Sequence, residues 1–128
     1  MDNPSAKKII ILDDDPFLLG MYNTKFNHEG FTVVGFNSGE ELIKKLKEGE
    51  VGDAILLDIV IPGMDGIAVL ETIRKEKLVE GSKIIMLTNQ GDQSDINRAK
   101  AIGVDGYIVK ATSTPSEVVS QVLNIIKK

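Results

Sequence analysis

The sequence predicts an α/β fold: a doubly wound, five-stranded parallel sheet with five helices on its two faces. Short runs rich in Ile, Val or Leu recur along the chain, and each alternates with a longer amphipathic stretch. Continuous apolar runs, rather than strict in–out alternation, suit strands buried on both faces of a parallel sheet. Five strand–helix units in series require right-handed crossovers, which place helices on both sides of the sheet.

In chain order, the expected strands are Lys8–Leu12, Phe31–Gly35, Ala54–Leu57, Lys83–Leu87 and Gly106–Val109. Asp15-Pro16 offers an N-cap followed by proline at the first helical position, opening a helix whose apolar face is Leu18, Leu19, Tyr22 and Phe26. Ser38 with Glu41 has the capping-box spacing ahead of Leu42, Ile43 and Leu46. The third helix presents Ile67, Leu70 and Ile73. The fourth, from about Asp92 to Ile102, has only Ile96, Ala99 and Ile102 to bury, so it is the least anchored and the natural mobile element. Thr114-Pro115-Ser116-Glu117 combines cap, proline and capping box, ahead of Val118, Val122, Ile125 and Ile126.

A chain of 128 residues with 42% apolar and 27% charged residues suits one domain, expected to span 1–128 with its core at about 7–127. The net charge of −4 argues against direct nucleic-acid binding, which favours a basic surface. There is no cysteine, so disulfides and thiolate metal sites are excluded. The N-terminus lacks a signal-peptide core and no apolar run approaches the ~18 residues of a membrane span. The expectation is a soluble, cytoplasmic protein without membrane contact.

In open parallel sheets the chemistry lies beyond the carboxyl ends of the strands. Strand one ends in Asp13-Asp14-Asp15, strand three in Asp58, strand four in Thr88 and strand five in Lys110. Converging carboxylates repel one another, and a hard divalent cation relieves that repulsion. Oxygen ligands without Cys or His point to Mg²⁺, with Mn²⁺ and Ca²⁺ open. A carboxylate nucleophile, a metal, a hydroxyl and a cation together are the set that in-line phosphoryl transfer needs. Asp15, directly before Pro16, reads as a cap rather than a ligand. Any one of the other residues alone is unremarkable for a strand end or a surface; their joint placement carries the reading. His28 reads as a cation at a helix C-terminus, Lys44, Lys45 and Lys47 as a solvated face, and the four methionines as core filler.

These residues resemble the receiver domain of response regulators in two-component systems, over essentially the whole chain. Ile9-Ile10-Ile11-Leu12-Asp13-Asp14 resembles the family's first strand and acidic pair. Asp58, with Pro62 four residues and Gly66 eight residues later, resembles the phospho-acceptor motif. Thr88 lies 30 residues beyond Asp58, Lys110 lies 52 beyond, and Tyr107 stands three before the lysine at the aromatic switch position.

The resemblance implies a flavodoxin-like fold with strand order 2-1-3-4-5. It implies that Asp58 accepts a phosphoryl group from a histidine kinase or phosphotransfer protein. Asp14, Asp58 and the Val60 carbonyl would ligate Mg²⁺, with Asp13 acting mostly through water, and Thr88 and Lys110 would hold phosphoryl oxygens. Thr88 and Tyr107 would then move, reshaping the helix 4–strand 5–helix 5 surface for a downstream protein target, as a monomer or a phosphorylation-dependent dimer. On this reading the chain is a signalling phospho-acceptor that catalyses only its own phosphorylation and dephosphorylation, and not otherwise an enzyme. No output domain follows the fifth helix, so a stand-alone, chemotaxis-type receiver and a piece of a longer regulator are both expected forms.

Two positions depart from the family pattern. Ala111 stands where proline with a cis bond is usual. A non-proline cis bond costs about 2.5–4 kcal/mol, so a trans bond and a rebuilt loop from Ala111 to Thr114 are expected. Asn89 stands where a small residue is usual. Val60 and Gln90 occupy positions that tune acyl-phosphate hydrolysis, and apolar Val60 implies slow self-dephosphorylation. These departures leave a phosphorylation-independent pseudo-receiver as the alternative. A flavin or nucleotide site would need a Gly- or Ser/Thr-rich loop after strand one, where three aspartates stand instead. An aspartate-nucleophile phosphatase would need a second acid at Val60.

Overall fold

The computed structural model describes residues 7–59, 65–88 and 93–127, apart from the side chain of Ala111. Eleven elements follow in order: β1 Lys8–Leu12, α1 Pro16–His28, β2 Thr32–Phe36, α2 Gly39–Lys47, β3 Ala54–Asp58, α3 Gly66–Glu76, β4 Lys83–Thr88, α4 Gln93–Ile102, β5 Gly106–Val109, a 3₁₀ turn Lys110–Thr112, and α5 Pro115–Ile126. The strands form one parallel sheet in the order β2-β1-β3-β4-β5, as the resemblance implied.

The apolar runs divide by residue parity, because successive side chains of a strand point to opposite faces. Ile10, Leu12, Ile55, Leu57, Ile84 and Met86 face α2, α3 and α4, against Leu42, Leu46, Ile67, Leu70, Ile73 and Ala99. Ile9, Ile11, Leu56, Ile85, Leu87 and Ile108 face α1 and α5, against Tyr22, Phe26, Val118, Val119 and Val122. Val119 buries a position outside the expected face of α5. α4 buries only Ile96 and Ala99, in keeping with its sparse apolar set.

Strand boundaries differ from expectation at β2, β3 and β4. Phe31 is not in β2: its N–H donates to the Phe26 carbonyl at 3.0 Å, closing the turn after α1. Its ring packs edge-on to Phe26 with centroids 6.2 Å apart. At the other end Phe36 joins the ladder, and its carbonyl accepts the Asp13 N–H at 2.9 Å. β3 and β4 each run one residue past their apolar runs, so that they end in Asp58 and Thr88.

The helix starts follow the capping signals. Asp15 Oδ1 accepts the N–H groups of Phe17 at 2.9 Å and Leu18 at 3.3 Å. Ser38 Oγ accepts the Glu41 N–H at 3.3 Å; at α3, for which no cap is named above, Asp65 Oδ1 accepts the Ala68 N–H at 2.9 Å. At α5 the capping box is complete: the Thr114 hydroxyl accepts the Glu117 N–H at 3.1 Å, and Glu117 Oε1 accepts the Thr114 N–H at 2.8 Å. A Thr114→Ala substitution is therefore expected to cost about 1 kcal/mol. In urea denaturation this appears as a lower midpoint with an unchanged slope, and Thr114→Ser retains wild-type stability.

Candidate functional site

The sheet order reverses between β1 and β3, and their carboxyl ends open the crevice where an α/β sheet binds ligands. Leu12 and Leu57 are paired across that boundary. Asp13 and Asp58, the next residues of each chain, therefore reach the rim side by side. Asp58 is paired with Leu87 of β4, and Thr88 with Val109 of β5, so the hydroxyl and the lysine arrive from the next two strands.

Asp13, Asp14 and Asp58 each offer a carboxylate oxygen, and the three atoms lie within 4.8 Å of one another. Asp13 and Asp58 are buried, and Asp14 is exposed. Asp13 is already committed on both oxygens: Oδ1 accepts the Asp15 N–H at 2.9 Å and Oδ2 accepts from Lys110 Nζ at 3.2 Å. Lys110 Nζ also donates to Asp58 Oδ2 at 2.7 Å, and its side chain is only 8% exposed. Burial pulls the lysine's pKa down, but the hydrogen bond to Asp58 and the charges of Asp13 and Asp58 outweigh it and hold it above its ordinary 10.5.

The charge balance sets what the site accepts. Three carboxylates and one ammonium sum formally to −2, so one divalent cation brings the cluster to zero. The donors are oxygen atoms only, which suits Mg²⁺, and the exposed Asp14 is the carboxylate facing the approach. The cluster thus fits the metal that the sequence suggested.

The structure brings together Asp13, Asp14, Asp58 and Lys110, and buries Thr88 at the end of the neighbouring strand. Tyr107 stands apart from them, 39% exposed on the edge strand β5. Val60, Pro62, Asn89 and Gln90 lie outside the described residues. The segment after Lys110 is rebuilt as a 3₁₀ turn with no cis peptide among the described residues. The Ser113 N–H donates to the Lys110 carbonyl at 3.2 Å, and Lys110 still spans both carboxylates.

By helical spacing Tyr22 is expected only as a core residue of α1. It is buried, and burial raises the pKa of its phenol; Lys110 opposes the rise, while Asp13, Asp58 and Asp15 add to it. Its phenol thus lies in the field of the whole rim and stays protonated. Side chains on a helix lean toward its N-terminus, which directs Tyr22 toward the rim; helical spacing alone carried no sign of it.

The family model for the response regulator receiver domain matches residues 9–122. The chain is 34% identical over 122 residues to the alkaline phosphatase synthesis transcriptional regulatory protein PhoP of Bacillus subtilis, covering 95% of this chain and 49% of that protein. It is 33% identical over 121 residues to the phosphate regulon transcriptional regulatory protein PhoB of Rhizobium meliloti, covering 94% and 52%. The chain thus spans about half the length of these curated relatives. Among solved structures, a CheY-like response regulator receiver domain protein from Methanospirillum hungatei superposes with a TM-score of 0.85 at 28% identity, covering 96% of this chain and 95% of that one. A putative response regulator from Chloroflexus aurantiacus gives 0.84 at 30%, covering 97% and 100%. A match running from β1 into α5, on a sheet of the same form, leaves one conclusion: this chain belongs to the response regulator receiver domain family.

Proposed function

We propose that the chain is a phospho-acceptor switch in which Asp58 takes the phosphoryl group, over a receiver unit spanning 1–128 with its core at 7–127. One observation carries the reading: Lys110 Nζ sits 2.7 Å from the Asp58 carboxylate, inside a three-carboxylate cluster. The donor is a phosphohistidine on a kinase or phosphotransfer protein. An Asp58 carboxylate oxygen attacks phosphorus, the P–N bond to the histidine breaks as the P–O bond forms, and an acyl phosphate results. Asp14 and Asp58 would hold Mg²⁺ directly, with Asp13 acting mostly through water, and the metal when bound would neutralise charge developing on the transferring group. Lys110 shifts from ion pairing with Asp58 to binding a phosphoryl oxygen, and Thr88 donates its hydroxyl to another. Asp13 orients Lys110 from below.

The added phosphate brings roughly −1.5 to −2 charge to a crevice that held Lys110 balanced between two carboxylates. That local change biases the weakly packed α4 and the exposed Tyr107, reshaping the α4–β5–α5 surface for a protein target. The formal charge of −4 supports output through protein contact rather than through nucleic acid by this unit. Among the described residues no helix is long and apolar enough to cross a membrane.

Titrating Mg²⁺ while following the amide resonances of residues 13, 14 and 58 by NMR tests the metal site. Wild type is expected to saturate, and Asp14→Asn to bind at least about tenfold more weakly. No saturable response, or an Asp14→Asn variant that binds as well as wild type, overturns the site.

A further inference from the structure

Tyr107 is the second residue of β5, between Gly106 and the buried Ile108. Ile108 points to the face covered by α1 and α5, so strand alternation turns Tyr107 to the opposite face, toward α4. There the Lys100 ammonium lies over its ring, 5.1 Å from the centroid. A cation at that distance from a phenol ring is attracted by the negative face of the π-system. Lys100 is in the last turn of α4 and makes no ion pair among the described residues.

We infer that Lys100 is a positioning residue for Tyr107: its ammonium holds the ring outward and so biases the switch against the phosphorylated state. The functional half of this inference rests on the phospho-acceptor reading above. An inward turn of Tyr107 breaks the contact, so the contact stabilises only the outward form. By linkage, whatever Lys100 adds to the outward form is subtracted from the affinity of the site for a phosphoryl group. The contact joins the least anchored helix to the edge strand, so a small interaction there acts on elements that are free to move.

The test compares wild type, Lys100→Met and Lys100→Arg, each alone and with Tyr107→Leu. The chain has only two tyrosines, so ring-labelled tyrosine gives two NMR signal sets, and Tyr22→Phe assigns them. Without ligand, Lys100→Met is expected to displace the Tyr107 ring signals, and Lys100→Arg to leave them near wild type. With Mg²⁺ and beryllofluoride as the phosphoryl probe, half-saturation is expected to fall about two- to fivefold in Lys100→Met. That gain should vanish in the Tyr107→Leu background. A gain that persists there reflects loss of a favourable charge at the α4 C-terminus instead and overturns the inference. Unchanged ring signals in Lys100→Met overturn it as well. A wild-type protein that ignores Mg²⁺–beryllofluoride contradicts the phospho-acceptor reading, while the unliganded ring signals still decide whether Lys100 holds Tyr107.

Discussion

A Lys110→Met variant is expected to take up phosphoryl groups from acetyl phosphate at least about a hundredfold more slowly than wild type. Methionine keeps most of the alkyl stem and removes the ammonium that lies 2.7 Å from Asp58 and 3.2 Å from Asp13. Loss of one preorganised stabiliser of transition-state charge costs about 10²–10³ in rate. In the metal-free protein the two carboxylates then face each other without a cation between them, a repulsion the folded state must carry. Stability should fall too, by about 2–3 kcal/mol at neutral pH. This lies below the range for breaking a fully buried pair, because the exposed Asp14 marks the side on which water reaches the cluster. The pH dependence has a definite sign. In wild type the pKa of Lys110 is raised, so its contribution is fully present below 10.5 and is lost only as pH rises through the raised value. In the variant, carboxyl groups that hold protons more tightly when folded make the deficit shrink as pH falls from 7 toward 4. Denaturant midpoints across that range read the effect. Uptake at the wild-type rate, or a deficit that grows with acid, contradicts the assigned role.

Gly66→Ala is the second large effect. A Cβ at this position collides with the Asp58 carbonyl oxygen and lies 2.8 Å from its carbon and 3.1 Å from Ile59 Cα. All three are backbone atoms, so no flexible side chain can yield. The first turn of α3 docks directly on the strand end that carries Asp58, tied by the Gly66 N–H to the Ile59 carbonyl at 3.2 Å. Overpacking there is expected to cost about 3 kcal/mol and to lower Tm by on the order of 10 °C. Gly20→Ala makes the contrasting control. Nothing lies within 4 Å of its Cβ position in the exposed middle of α1, so alanine is expected to stabilise by about 0.5–1 kcal/mol. Thermal unfolding of the two variants measures both signs. A Gly66→Ala protein as stable as wild type contradicts the packing account.

The gathering of Asp13, Asp14, Asp58, Thr88 and Lys110 at one rim was legible in the sequence because parallel strands send their carboxyl ends to the same side, whatever the loops do. The glycine eight residues after Asp58 was legible as spacing, but its steric reason appears only once α3 is seen against β3. Phe31 was misplaced because its apolar side chain suits a strand, while its N–H is already taken by the Phe26 carbonyl. The trans linkage after Lys110 followed from the cost of a cis bond before alanine; that the chain would wind into a 3₁₀ turn did not. Lys100 over Tyr107 and Tyr22 in the field of the rim depend on how α4 and α1 are rotated against the sheet. The periodicity of either helix leaves that rotation open.

Asp58 is expected to accept a phosphoryl group in a metal-dependent step. Intact mass after incubation with acetyl phosphate, with and without Mg²⁺, tests it most directly, with Asp58→Asn alongside. Wild type with Mg²⁺ is expected to gain one phosphoryl group, with none added in the absence of the metal or in the variant. Uptake that persists in Asp58→Asn, or no uptake by folded wild-type protein with Mg²⁺, would contradict it.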